Sequence, residues 1–128
     1  MCGDTRKQFG NLGESKAVEY LVSIGYTVIQ RNFRIRTGEI DIIAKDHSCG
    51  GYLVFIEIKS RRSNSKGLPQ ESVNSLKQYR IIKAAVAYIN KTKCHNISYR
   101  FDVIAIHPGG GIEHIKNAFT IPPGTYFF

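Results

Sequence analysis

The chain is poor in the features that place a protein in a membrane or hold it together with disulfides. Its three cysteines, Cys2, Cys49 and Cys94, are odd in number and scattered, which argues against a disulfide framework and against a zinc site. No apolar run reaches the roughly 18 residues that a membrane span requires, and no apolar segment follows the first residues as it would in a secretory signal. These absences predict one domain over residues 1–128 in the reducing cytoplasm, without membrane contact and with residues 1–7 and 120–128 peripheral or loose.

Histidines and acidic residues are also scarce. The four histidines show no ligand spacing and are expected in loops or on the surface: His47, His95, His107 and His114. Ten acidic residues face 18 lysines and arginines, which gives a formal net charge of +8. This excess predicts a polyanionic partner, most simply a nucleic acid, although it also suits plain solubility. Glu14, Glu39, Asp41 and Glu57 belong to the candidate site described below, so the remaining surface is more basic than the total indicates.

Two apolar stretches, residues 38–44 and 52–59, carry the most informative pattern. Each is short, rich in β-branched residues and bounded by turn formers, which predicts two strands. The polar connector with Gly50-Gly51 favours a hairpin. Because side chains alternate along a strand, Glu39 and Asp41 share one face, and so do Glu57 and Lys59. In a suitable register, Asp41, Glu57 and Lys59 meet at one end of the sheet.

Two carboxylates on apolar strands require compensation. An unpartnered carboxylate is costly to bury, and two neighbouring carboxylates repel each other unless a cation lies between them. A hard divalent ion such as Mg²⁺ or Mn²⁺ meets this need, and Lys59 on the same face can hold a water or stabilise charge on a phosphate. The alternative is a simple ion pair of Lys59 with Asp41 or Glu57 at a strand end.

An Asp at the end of one strand, followed by Glu57-Ile58-Lys59 on the next, resembles the PD-(D/E)xK nucleases, which include restriction enzymes and archaeal Holliday-junction resolvases. A longer series, from about Gly10 to Phe119, resembles the bacterial YraN family, which is described as endonuclease-like. The series consists of Gly13-Glu14, Ala17, Tyr20-Leu21, Gly25-Tyr26, Arg31-Asn32-Phe33-Arg34, residues 38–44, residues 55–61, Lys77, Arg80-Ile81, Ala84-Ala85, residues 100–104 and Asn117-Ala118-Phe119. Ile40 stands where much of the superfamily has proline, as is usual in the resolvase-like branch.

The resemblance carries expectations about fold and chemistry. It implies an α/β fold with a restriction-endonuclease-like core, in the order αβββαββ, whose mixed central sheet is flanked by helices. It also implies hydrolysis of DNA phosphodiester bonds with Mg²⁺ or Mn²⁺ as cofactor. Asp41, Glu57 and the backbone carbonyl of Ile58 would ligate the metal, and Lys59 would position or activate the water. Resolvases of this fold act as dimers, so the resemblance also raises a homodimer as an expectation.

A helix is predicted over residues 8–24, since Glu14, Ala17, Val18, Leu21 and Ile24 fall on one face. In resolvases of this fold a glutamate of the first helix is a metal ligand, and Glu14 matches it. The alternative is a capping box, with Asn11 as N-cap and Glu14 three residues later. A helix that starts near Thr5 or Gln8 excludes this alternative.

Basic residues surround the predicted site. Arginine grips phosphate with two donors at once, and the loop after residue 59 is basic and rich in turn formers. A helix over residues 73–90 adds one lysine that can touch phosphate. The expected nucleic-acid contacts are Arg31, Arg34, Arg36, Arg61, Arg62, Lys66 and Lys77. The alternative is that these basic side chains are simply solvated. For Glu39, which lies nearby, we favour an ion pair with Arg34 or Arg36.

The last strands offer one rival site. Strands are predicted over residues 97–106 and 112–118, and Arg100 and Asp102 share a face of the first. Asp102 is a second candidate metal ligand, but it lacks a Glu-x-Lys partner. We expect it to be structural and paired with Arg100.

Three functions follow from these patterns. The first is a metal-dependent endonuclease that acts on DNA and selects structure, such as branched or single-stranded DNA, because no base-reading motif occurs. The second is a nucleic-acid-binding module with a nuclease fold and no significant activity. The third is a structural protein whose acids form ion pairs.

Overall fold

A computed structural model describes residues 5–62, 67–94 and 96–123, with side chains from residue 13 onward in the first helix. Within these residues the chain forms helices and strands in the predicted order αβββαββ. The elements are α1 (Thr5–Ser23), β1 (Thr27–Ile35), β2 (Gly38–Asp46), β3 (Tyr52–Ser60), α2 (Ser75–Thr92), β4 (Ser98–Ile106) and β5 (Ile112–Phe119). Short 3₁₀ turns lie at Ser48–Gly50 and Pro69–Ser72. Neither of the described helices is long and apolar enough to cross a membrane.

The five strands form one mixed sheet in the order β1-β2-β3-β4-β5. The β1–β2, β2–β3 and β4–β5 pairs are antiparallel, so the predicted hairpin of β2 and β3 is confirmed. The β3–β4 pair is parallel, and α2 makes the long connection that a parallel pair requires. The mixed α/β architecture with flanking helices is therefore as predicted.

Each face of the sheet carries its own apolar core, because alternate residues of the central strands point to opposite sides. On one face, Ile43 of β2 and Phe55 of β3 pack with Ile82 and Ala85 of α2. On the other, Ile42 and Ile56 pack with Leu21 of α1. The two helices therefore cover opposite faces of the sheet.

The first helix starts earlier than the sequence pattern predicted. It begins at Thr5 rather than at residue 8, so residues 5–7 belong to the helix. The pattern failed there because it rested on the apolar face, which begins only near Glu14. This start also excludes the capping box, since Glu14 lies in the middle of the helix. Gly25 ends the turn after α1 with φ +90°, as expected of a residue that follows a helix.

One glycine sets the distance between the sheet and α2. A Cβ on Gly38 would lie 2.0 Å from the backbone oxygen of Arg80. Only glycine permits this close approach, which brings the start of β2 against the second turn of α2.

Candidate metal and nucleic-acid site

The site forms where β2 and β3 separate. Their paired ladder runs from Asp46 and Tyr52 to Ile42 and Ile56 and then stops. Beyond it, the Asp41 carboxylate accepts the backbone N–H of Ile58, with Oδ2 at 2.8 Å from the nitrogen. The N–H and C=O of one strand residue point to the same side, so the Ile58 carbonyl also faces this gap.

Asp41 and Glu57 are adjacent across the gap. Glu57 has the parity of Phe55 and pairs with Lys77 of α2, so it lies on the face covered by α2, and Asp41 is close enough to interact with its carboxyl group. Glu57 is 5% exposed. Burial, the charge of Glu57 and a hydrogen bond with its carboxyl together raise the pKa of Asp41 to about 7. Burial and the neighbouring carboxylate thus favour the protonated form of Asp41, as expected of closely spaced carboxyl groups.

Two lysines complete the cluster. Lys77 of α2 forms an ion pair with Glu57, with Nζ 2.7 Å from Oε1. Burial and the neighbouring Lys77 ammonium lower the pKa of Lys59. Burial also acts to lower the pKa of Lys77, but its polar neighbours, Glu57 foremost, together outweigh burial and raise that pKa. The structure does not contain the alternative ion pair of Lys59; Glu57 pairs instead with Lys77 of α2.

An open cleft of about 340 Å³ lies beside this cluster. It runs between the sheet and the first two turns of α2 and is lined by Glu39, Glu57, Asn74, Leu76, Lys77, Arg80 and Ile81. Asn74 caps the helix by accepting the backbone N–H of Lys77 at 2.9 Å. The sequence pattern gave no role to Asn74, Leu76 or Arg80; the one signal available was the basic first half of this helix.

Glu14 does not join the carboxylate pair. It is buried on the α1 side of the sheet, where its Oε1 accepts hydrogen bonds from Nε of Arg31 and, at 3.0 Å, from Nδ2 of Asn32. Asn32 has φ +53° and interrupts the regular strand there. Across the described residues, no group of three or more acidic, histidine or cysteine side chains could hold a metal. The hydrogen bonds of Glu14 are with β1, whereas Asp41 and Glu57 interact with each other, a difference that alternation along one strand could not reveal.

The predicted basic contacts have different surroundings. Arg31 pairs with Glu14, so its guanidinium is directed to α1. Arg34 pairs with the exposed Glu39 at 3.3 Å, as favoured above, and such a surface pair contributes little to stability. Arg36 is exposed in the turn between β1 and β2.

The loop after β3 contributes two arginines. Arg61 donates from Nη2 to the Gly67 carbonyl at 2.9 Å, and its backbone N–H bonds to the Ile106 carbonyl. Arg62 is exposed directly after β3. Lys66, the remaining predicted contact, lies outside the described residues.

The donor chemistry fits Mg²⁺ or Mn²⁺. Two carboxylates and a backbone carbonyl face one gap, and Mg²⁺ is commonly held by one or two carboxylates, with waters and substrate phosphates completing its shell. The absence of a third described carboxylate is compatible with that mode. A soft metal would find no thiolate there.

A second polar cluster holds the other end of the sheet. Arg100 donates to Asp102 from Nε and Nη2 at 2.8 and 2.9 Å and to Asp46 from Nη1 at 3.0 Å. The expected Arg100–Asp102 pair is thus confirmed. Although burial works against it, hydrogen bonds from His114 and Arg100 lower the pKa of the fully buried Asp102. These partners already satisfy Asp102, which supports a structural role.

His114 corrects the expectation that the histidines lie in loops or on the surface. Its imidazole is 4% exposed and bonds to Asp102 through Nε2 at 2.7 Å and to the Tyr20 hydroxyl through Nδ1 at 3.0 Å. The sequence held one indication of this burial: His114 lies two residues after Ile112 and so shares its strand face, and Ile112 packs on the α1-side core. His47 and His107 are less buried, and His95 lies outside the described residues.

Comparison with known proteins identifies one family. Residues 13–106 match the model of the family described as "Uncharacterised protein family UPF0102". A UPF0102 protein of Trichlorobacter lovleyi is 46% identical over 125 residues, which cover 94% of this chain and 97% of the relative. A UPF0102 protein of Clostridium tetani is 48% identical over 120 residues, covering 90% and 96%. One from Caldicellulosiruptor saccharolyticus is 41% identical over 119 residues, covering 89% and 98%.

Proposed function

The chain belongs to the UPF0102 family, and we propose that it is a nuclease of the PD-(D/E)xK type that hydrolyses DNA with Mg²⁺ or Mn²⁺. One observation carries the proposal: Asp41 and Glu57 face each other where two strands separate, with Lys59 two residues further on the same face. Two carboxylates buried side by side destabilise a fold unless a counterion compensates their charge. A divalent ion supplies that counterion.

Each residue of the cluster has a defined part in this proposal. Asp41 and Glu57 hold the metal, together with the carbonyl of Ile58. When bound, the ion supplies a Lewis acid that neutralises the phosphate and lowers the pKa of a coordinated water. Lys59, on the face of Glu57, donates hydrogen bonds to the water or to a phosphate oxygen and stabilises the charge that develops there. Glu14 has no part in the metal site proposed here.

The shape of the site favours a flexible strand as substrate. Glu57 lies at the wall of a cleft and is almost completely buried, so a phosphate has to enter the cleft to reach a metal there. A single strand, or the unpaired strand of a branched structure, bends into such a cleft at lower cost than a stiff duplex. Arg80 and Lys77 of the cleft and the net charge of +8 provide the attraction for phosphate.

One observation favours a second candidate, a nucleic-acid-binding module without catalysis. Lys77 already neutralises Glu57, so the fold is not obliged to hold a metal. This alternative retains salt-dependent binding of nucleic acid and lacks any dependence on a divalent ion.

A cleavage assay separates the two candidates. Labelled single-stranded and branched oligonucleotides are incubated with Mn²⁺ and with wild type, Asp41→Asn, Glu57→Gln or Lys59→Ala. We expect each variant to cleave at least about a hundredfold more slowly, the usual scale for losing one group that acts in the transition state. Glu113→Gln is the matched control, because Glu113 is an exposed glutamate of β5 that pairs with His107.

Circular dichroism establishes that the variants are folded. Wild-type cleavage that persists in a metal chelator, or that survives in all three variants, contradicts the proposal. Salt-sensitive binding without any wild-type cleavage supports the binding module.

A further inference from the structure

Lys77 occupies a place that conflicts with metal binding. Its ammonium lies 2.7 Å from Oε1 of Glu57, which is one of the proposed metal ligands. A divalent ion bound to the same carboxylate would bring three cationic groups close together, since Lys59 also borders it. Lys77 and the metal therefore compete for Glu57.

The Lys77 side chain has room to move away from Glu57. Its side chain is 40% exposed, whereas that of Glu57 is 6% exposed, so the lysine can move while the carboxylate stays. The backbone of Lys77 is fixed by the Asn74 cap, and its ammonium ends a flexible four-carbon chain. Arg80, three residues later and on the same side of α2, lines the same cleft.

We propose that Lys77 exchanges partners: it pairs with Glu57 while the site has no metal and passes to a phosphate of the nucleic-acid strand when the metal binds. This inference rests on the proposed metal-dependent function. It assigns Lys77 as a positioning residue that links the two ligands. Metal binding frees the Lys77 ammonium to enter the cleft, and a nucleic-acid strand in the cleft draws that ammonium away from Glu57. The metal and the strand therefore each strengthen the binding of the other.

The exchange makes an unusual prediction for Lys77→Met, which keeps an unbranched side chain of nearly the same length and removes its charge. Without nucleic acid, the variant should bind Mn²⁺ at least about tenfold more tightly than wild type, because the competing cation is gone. Calorimetric titration of Mn²⁺ into each protein measures this difference. Lys116→Met, which removes an exposed lysine of β5, is the matched control and should behave as wild type.

The second half of the test measures coupling. Anisotropy of a labelled single-stranded oligonucleotide is followed with and without Ca²⁺, a hard divalent ion that prefers oxygen ligands. Wild type should bind the strand more tightly with Ca²⁺, and Lys77→Met should lose most of that increase. Lys77→Arg, which restores the charge, should regain it.

The outcomes separate this inference from the function on which it rests. Equal or weaker Mn²⁺ binding by Lys77→Met overturns the exchange and leaves the metal site standing. An unchanged effect of Ca²⁺ on strand binding in Lys77→Met also overturns it. If Mn²⁺ binds neither protein, with or without the oligonucleotide, the proposed function fails and the exchange fails with it.

Discussion

Removing the negative charge of Asp41 should stabilise the metal-free protein at alkaline pH. The pKa of this carboxyl is raised from its ordinary value of 3.8 to about 7, first by burial and then by Glu57. The folded state therefore holds a proton between about pH 4 and 7 that the unfolded state has lost, and stability falls as pH rises through that window. A difference of about three pKa units corresponds to about 4 kcal/mol as an upper bound.

Asp41→Asn reproduces the protonated state permanently. The amide oxygen can accept the N–H of Ile58, as the carboxylate does at 2.8 Å, and the amide nitrogen can donate to Glu57. We therefore expect the variant to match wild type near pH 4 and to exceed it by about 2 to 4 kcal/mol near pH 8. Urea denaturation with a metal chelator, at several pH values, measures this difference.

Divalent metal should narrow the difference between the two proteins. Mg²⁺ at ten times its dissociation constant stabilises wild type by about 1.4 kcal/mol, and it should leave Asp41→Asn unchanged. Glu113→Gln, whose carboxylate is exposed on β5, should follow the wild-type profile. The reasoning is refuted if Asp41→Asn is less stable than wild type near pH 8, or if the difference does not grow with pH.

Two further predictions test the parts of the molecule that lie away from the carboxylate pair. Glu14→Gln weakens the ion pair with the partly exposed Arg31 and should lower the free energy of unfolding by about 1 kcal/mol, with no change in Mn²⁺ affinity; a large loss of Mn²⁺ binding would restore Glu14 to the metal site. Asp102→Asn leaves the partly buried Arg100 without its bidentate partner and should cost about 3 kcal/mol in urea denaturation; an effect below about 1 kcal/mol would show that the cluster is not a structural one.

The order and placement of the strands followed from local patterns. The segment predicted over residues 97–106 is β4 at Ser98–Ile106, and the hairpin of β2 and β3 has the expected pairing. Alternation along these strands was enough to place Glu57 and Lys59 on one face and to expect Asp41 beside them. Local patterns were sufficient here because β2, β3 and β4 each contain a run of buried apolar residues, at 42–44, 53–56 and 103–106.

The faces of the sheet could not be predicted in the same way. Which helix covers which face depends on long-range packing, so the sequence pattern did not predict that Glu14 pairs with Arg31 of β1. The Lys77–Glu57 pair joins residues of α2 and β3, and no spacing rule links them. His114 entered a buried cluster because its strand packs beside Asp102, where a histidine has polar partners that its own neighbours in sequence do not reveal.

The most direct test of the account is a count of bound Mn²⁺ by electron paramagnetic resonance, for wild type and Asp41→Asn, with and without a single-stranded oligonucleotide. The account predicts that wild type binds Mn²⁺ more tightly as pH rises through about 7, because Asp41 must lose its proton before it can ligate the ion. It predicts that Asp41→Asn loses this binding and that Glu113→Gln keeps it. Mn²⁺ bound equally by wild type and Asp41→Asn, or by neither in the presence of the oligonucleotide, would contradict the assignment of Asp41 and Glu57 as a metal site.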